Sequence, residues 1–150
     1  MGFFDGYNVA TSGMSAQRSR INVVSSNIAN AQTTHSTDGG PYKKQNVIFE
    51  EVLLEASNKN KKENSSETID PLSLRGVGVR EIIDAKDEPI MKFEPEHPDA
   101  NEDGYVAYPN INPVIEMVDL IEAMRSYEVN VASFTTQKDM DTKTLDIIKS

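Results

Sequence analysis

The chain of 150 residues has no cysteine and no tryptophan. Without cysteine there is no disulfide scaffold and no thiolate metal site. Its two histidines, His35 and His97, sit in polar stretches with no companion at ligand spacing. Neither a histidine metal centre nor a histidine general base is indicated, and no cofactor is expected. A basic surface is lacking too. The formal net charge is −9, which excludes nucleic acid as a partner, because phosphate binding needs a basic face. No apolar run approaches the ~20 residues of a membrane-spanning helix, so direct membrane insertion is not expected. The opening stretch MGFFDGYN lacks a basic region followed by an apolar one, and no secretory signal is read there.

Charge is also nearly missing from one particular segment. Between Gly6 and Thr37 the only formal charges are Arg18 and Arg20. That segment carries an unbroken heptad: Tyr7, Ala10, Met14, Gln17, Ile21, Val24, Ile28 and Ala31 alternate in spacings of three and four. Such spacing places them on one seam of a helix. The outer positions are Thr11, Ser12, Ser15, Ser19, Asn22, Ser25, Ser26 and Asn27. They are too polar for lipid and too poorly charged for a lone helix in water. The reading is a helix covered on several sides by other chains, and hence an assembly subunit. Gln17, the one polar seam residue, is expected to set register. Gly13 is either a tolerated flaw or a point of close helix approach.

The acidity lies mainly in the middle. Residues 38–110 carry 9 basic and 16 acidic side chains, and residues 111–150 carry 4 and 7. Asp38-Gly39-Gly40-Pro41 is a strong turn signal. Tyr42 to Leu54 reads as short strand, with a helical turn near Glu50 as the alternative. Residues 56–71 are polar with almost nothing to bury and read as a flexible loop. Leu74 to Ile83 reads as a strand with a bulge or bend near Gly76 and Gly78. Ile90 to Glu94 and Tyr105 to Tyr108 read as two further short strands. From Asn112-Pro113, a capping residue followed by proline, a second helix is expected. Its seam is Met117, Leu120, Met124, Tyr127, Val131 and Phe134, resuming at Leu145 and Ile148.

Sites of chemistry are hard to find. Asp99 to Gly104 matches the first half of a calcium loop, but Asn110 stands where the closing glutamate belongs, so the segment reads as an Asx-rich turn. Neighbouring acids such as Glu50 and Glu51 give no sign of a converging cleft. No serine has a nucleophile-elbow context, and no enzymatic activity is expected.

SGMSAQRSRINVVSSNIANAQT resembles the N-terminal signature of the bacterial flagellar rod and hook family, whose core is Asn-Asn-(Leu/Ile)-Ala-Asn. Here the core reads Ser26-Asn27-Ile28-Ala29-Asn30, with serine at the first place. Gly104-Tyr105-Val106, Pro109-Asn110-Ile111-Asn112 and VIEMVDLIEAMRSYEVN resemble the C-terminal signature, with Arg125-Ser126-Tyr127 at its Arg-(Ala/Ser)-Tyr. The short middle is similar to that of the proximal rod members. The resemblance implies a structural subunit that assembles helically around an export channel and transmits torque. It also implies export through the flagellar type III apparatus, and a place in the periplasmic rod beside copies of itself, other rod proteins and neighbouring basal-body components. Another axial protein of the rod or hook, or a soluble periplasmic coiled-coil adaptor, is the alternative.

The fold expected is α+β. Residues 1–37 and 111–150 form a helical assembly layer of two long, coiled-coil-like helices, and 38–110 form a β-rich middle. The expected interface is Tyr7, Ala10, Met14, Gln17, Ile21, Val24, Asn27, Ile28 and Asn30 with Met117, Leu120, Met124, Tyr127, Val131 and Phe134.

Overall fold

The computed structural model describes residues 5–37, 39–54 and 74–149. Helix α1 spans Asp5–Ala29 and helix α2 spans Pro113–Lys149. Between them lie β1 (Gln45–Leu53), β2 (Arg75–Asp84), β3 (Ile90–Phe93) and β4 (Tyr105–Tyr108). The α+β class expected from the sequence is the one observed. The aromatic pair Phe3 and Phe4, Asp38, and the polar loop at 56–71 fall outside the described residues.

The helix ends follow from local chemistry. Asn112 caps α2: its Oδ1 accepts the Val114 N–H at 3.0 Å, with Pro113 at the first helical position, where no N–H is needed. The helix then runs for 37 residues, about 55 Å at the usual rise. It continues through Lys138 and Asp141, where the apolar pattern weakens. Helix α1 stops at Asn30, whose Nδ2 donates to the Ser26 carbonyl at 2.9 Å. The Thr33 hydroxyl donates to Asn30 Oδ1 at 3.1 Å. Side chains that compete for backbone groups end a helix here. Beyond it, Gly39 and Gly40 take φ of +82° and +81°, a region glycine enters without steric cost.

Strands β1 and β2 pair antiparallel from Gln45 opposite Asp84 to Leu53 opposite Arg75, and β3 pairs antiparallel with β4. Strand β1 is continuous, with no helical turn near Glu50. Arg75 clamps Glu51 there with two contacts of 2.8 Å. The expected bulge exists, but it falls at Arg80, between the pairs Ile48 with Glu81 and Phe49 with Val79. The glycines serve contact instead. A Cβ on Gly76 would lie 2.6 Å from Ser12 Oγ and 2.7 Å from Leu54 Cδ1. Its absence lets the hairpin lie on α1, where the Val77 N–H donates to Ser12 Oγ at 3.3 Å.

The two helices pack antiparallel, and their contact line is periodic. Gly6 faces Gln137, Gly13 faces Asn130, and Asn27 faces Glu116. On α2 these partners, with the fully buried Ala123 among them, recur at every seventh residue, the spacing of a helix seam. A Cβ on Gly13 would sit 2.9 Å from Asn130 Nδ2, and one on Gly6 would sit 3.2 Å from Gln137 Oε1. Gly13 is therefore a point of close approach. The buried apolar side chains are all small or medium: Ala10, Ala16, Val23, Val24, Val106, Ile111 and Ala123.

This geometry sets a sign-changing prediction. Alanine normally gains about 1 kcal/mol over glycine inside a helix. Here Gly13→Ala should instead cost about 1 kcal/mol, because the Asn130 amide must move. In an Asn130→Ala background the same change should stabilise by about 1 kcal/mol. Urea unfolding of the four chains measures both values.

Candidate assembly surface

One buried polar junction ties three elements together. Asn27 is 1% exposed and uses both ends of its amide. Its Nδ2 donates to the Gln45 carbonyl at 2.9 Å and to Glu116 Oε2 at 3.1 Å. Its Oδ1 accepts the Gln45 N–H at 2.9 Å and the Tyr42 hydroxyl at 3.1 Å. Glu116, equally buried, has the Lys44 ammonium 2.7 Å from its other oxygen. A buried charge is tolerated only when paired and hydrogen-bonded. The junction meets that condition with residues from α1, the entry to β1 and the first turns of α2. Asn27 was expected at the interface from the family core. Glu116 and Lys44 were not named, although Glu116 shares its heptad position with Ala123, Asn130 and Gln137.

The remaining expected residues divide into two groups. Ala10 and Val24 are buried, and Met14, Gln17, Ile21, Ile28 and Asn30 are half-buried on α1. On α2, Leu120, Tyr127 and Phe134 are half-buried beside the contact line. Tyr7 joins the two rows: its ring meets Phe134 edge-on at 5.0 Å, and its hydroxyl donates to Asp141 at 2.6 Å. Met117, Met124 and Val131 lie one residue past the contact line and stay exposed. The α2 face that meets α1 is thus the row through Glu116, Ala123, Asn130 and Gln137. The row through Met117, Met124 and Val131 looks outward. The Gln17 Oε1 is buried with no hydrogen-bond partner among the described residues.

Outward exposure on α2 is extensive. Val114, Ile115, Met117, Val118, Ile121, Met124, Val129 and Val131 are all exposed, from 36% at Val131 to 68% at Val114. Leu145, Ile147 and Ile148 continue the apolar surface near its end. Monomeric proteins seldom leave so much contiguous apolar surface open. A helix apolar on nearly every side is normally enclosed by protein or lipid, and no described helix is long and apolar enough to cross a membrane.

The half-matched calcium loop is a turn held by its own backbone. Asn101 Oδ1 accepts the N–H groups of Asp103 at 3.1 Å and Tyr105 at 2.8 Å. Asp99 accepts the Thr34 hydroxyl at 2.7 Å. Among the described residues no three His, Asp or Glu side chains converge as a metal site.

Comparison with known proteins bears on this surface. Residues 8–34 match the family described as flagella basal body rod protein, and residues 102–147 match the C-terminal family of flagellar basal body rod FlgEFG proteins. The chain is 40% identical to the flagellar basal-body rod protein FlgC of Borreliella burgdorferi, over 99% of both chains. It is 39% identical to FlgC of Aquifex aeolicus over 99% of both. FlgC of Bacillus subtilis is 37% identical, covering 97% of this chain and 98% of its own.

Two outcomes are expected from the side chains described. Asn27→Ala removes one hydrogen bond from the buried Glu116, which keeps Lys44, and two from the half-buried Gln45 backbone, so it should cost about 2 kcal/mol, read by urea unfolding. Tyr7 is the second. Its hydrogen bond to Asp141, then burial and the Asp141 and Asp139 charges, raise its pKa from 10.0 to about 12. The native state therefore holds this proton more tightly than the unfolded chain. The contribution is complete below pH 10 and is lost as pH rises through about 12. Ultraviolet titration of tyrosinate should show a late-ionising component that Tyr7→Phe removes.

Proposed function

This chain belongs to the FlgC group of the flagellar basal-body rod family, and on that premise we propose how it builds the rod. It is a structural subunit of the proximal rod, and its role is assembly with other basal-body components rather than catalysis. The helical segments 1–37 and 111–150 form the inner layer, packed around a central export channel. The acidic middle, 38–110, forms the outer layer. Copies of this chain and other rod proteins cover the open face of the helix pair, where Met117, Met124 and Val131 are exposed and Met14, Gln17, Ile21, Ile28, Asn30, Leu120, Tyr127 and Phe134 are half-buried, while Ala10, Val24 and Asn27 hold the pair from within. The subunit leaves the cytoplasm through the flagellar type III apparatus and joins the rod in the periplasm. Torque passes along the tube through these helix contacts.

The observation that carries this reading is the outward apolar surface of α2. Eight large apolar side chains between Val114 and Val131 stand exposed on one helix. Burial contributes roughly 25 cal/mol per Å² of apolar surface removed from water. The isolated chain realises little of that on this face, and neighbouring subunits would supply it. The junction at Asn27 and Glu116 supports the same division. It joins the helices by the Asn27–Glu116 hydrogen bond and ties α2 to the entry of β1 by the Lys44–Glu116 pair, and so leaves the outward apolar row for other chains.

Met124→Glu separates assembly from folding. Met124 is exposed, so the isolated chain should lose no more than about 0.5 kcal/mol. In cells making only this variant, immunoblots of isolated basal bodies should show little of it, and swimming should fail. Lys86→Glu, an exposed position on the middle segment, should be incorporated and swim as the unaltered chain does. Wild-type incorporation of Met124→Glu would refute the proposed face.

A further inference from the structure

The second hairpin has two unlike faces. Strands β3 and β4 pair only with each other, and residues opposite each other in an antiparallel pair share a face. Lys92, Val106 and Tyr108 lie on the inward face. Val106 is fully buried there, and the Lys92 ammonium sits 4.3 Å from the centre of the Tyr108 ring. Met91, Phe93 and Tyr105 lie on the other face and are all exposed, Phe93 at 64%. The Phe93 and Tyr105 rings meet edge-on at 5.3 Å. A Cβ on Gly104 would come within 3.0 Å of the Phe93 ring, so this glycine gives the ring its place. The loop that joins the strands, residues 94–104, starts and ends at this aromatic pair. It carries five acids and no lysine or arginine. Its one histidine, His97, sits against Tyr108 and Asp99. Glu94 accepts the Tyr108 hydroxyl at 2.8 Å, and Asp99 accepts the Thr34 hydroxyl at 2.7 Å. Glu96, Glu102 and Asp103 are exposed, and their carboxylates have no hydrogen bond or ion pair with any described residue. Lys86 lies at the opposite end of the hairpin, with Pro89 and Pro109.

We propose that the face of Met91, Phe93 and Tyr105 docks a different protein, one that presents an apolar or aromatic side chain ringed by lysine or arginine. The inference rests on the rod reading, in which residues 38–110 point outward, and it names the partner chemistry of that layer. The aromatic pair supplies the anchor, since aromatic side chains are enriched at the centres of protein interfaces. The surface is also built in advance. The Glu94 N–H donates to the Gly104 carbonyl at 2.9 Å, and Asn101 Oδ1 accepts the N–H groups of Asp103 and Tyr105. A loop already held by its own backbone loses little further freedom on binding. Charge selects the occupant. Carboxylates at the rim of an apolar contact steer basic partners in and reject acidic ones. Nucleic acid and anionic lipid are turned away by the same charges. A second copy of this chain is a poor match, because residues 38–110 carry 16 acids against 9 bases and residues 111–150 carry 7 against 4. Even Lys59, Lys61 and Lys62 stand among Glu55, Glu63, Glu67 and Asp70.

The test is photo-crosslinking in intact basal bodies. Met91→benzoylphenylalanine is expressed in cells lacking the native chain. Basal bodies are isolated and irradiated, and the joined peptides are identified by mass spectrometry. The adduct should join position 91 to a protein other than this chain, at a peptide where lysine and arginine outnumber aspartate and glutamate. The same group at Ile90, on the inward face, should not form it. Adding Glu102→Lys and Asp103→Lys should lower the adduct about tenfold or more, while immunoblots show the chain incorporated as before. If that pair fails to fold, Glu102→Gln with Asp103→Asn, which removes only the charge, should still lower it. If the Met91 variant is not incorporated, Tyr105→benzoylphenylalanine, an aromatic for an aromatic, carries the same test. Absence of an adduct overturns the proposal. So does an adduct to another copy of this chain, one to a peptide without excess base, or one that survives the charge changes. Absence of the unaltered chain from basal bodies would overturn the rod reading itself.

Discussion

Everything in this molecule depends on how closely two helices meet along a central row of glycines, amides and small side chains, with the large apolar ones at its margins. Glycine on one helix faces an amide on the other at Gly6 with Gln137 and at Gly13 with Asn130. Asparagine faces a buried glutamate at the end of the line. Such a seam gains little from the hydrophobic effect, but it has strict geometry. A close contact of glycine with amide, pinned by the Asn27–Glu116 hydrogen bond, admits few registers, whereas an apolar seam accepts many. The connection at Asn27 also reaches the strand hairpin through the backbone of Gln45. One side chain thereby relates the helix pair to the middle of the chain.

The cost of this arrangement is a thin core. Among the described residues the buried apolar positions are alanine, valine and a single isoleucine, while methionines, isoleucines and valines of α2 face outward. Most helical stability comes from packing an apolar face, and in the isolated chain the outward face of α2 is left open; under the proposed function, neighbouring subunits would complete it.

Much of the architecture was legible from local chemistry. Asn112-Pro113 marked the start of α2, the polar run after Asn30 marked the end of α1, and the short strands fell close to where alternating apolar residues put them. The orientation of α2 was legible only to within one residue. Periodicity puts Met117, Met124 and Val131 on one seam with Leu120, Tyr127 and Phe134, and only the last three lie beside the contact line. The row actually facing α1 contains Glu116, Asn130 and Gln137, which the same rule sends to solvent. The rule presumes that a chain buries its own apolar surface, and a subunit that keeps that surface for its neighbours breaks the presumption. Gly76 shows a second limit. Glycine in a strand signals either a bulge or a close contact, and only the position of Ser12 on α1 decides between them.

The central claim is that the outward apolar row of α2 is open in the free chain and closed in the rod. Methionine oxidation footprinting tests it directly, because Met117 and Met124 lie in that row while Met91 lies on the middle hairpin, all three near half exposure. Brief peroxide treatment of the isolated chain and of intact basal bodies, read by mass spectrometry, gives each residue's reactivity in both states. The account predicts that all three oxidise in the free chain, and that Met117 and Met124 become strongly protected in the rod. Equal reactivity of Met117 and Met124 in the two states would contradict it.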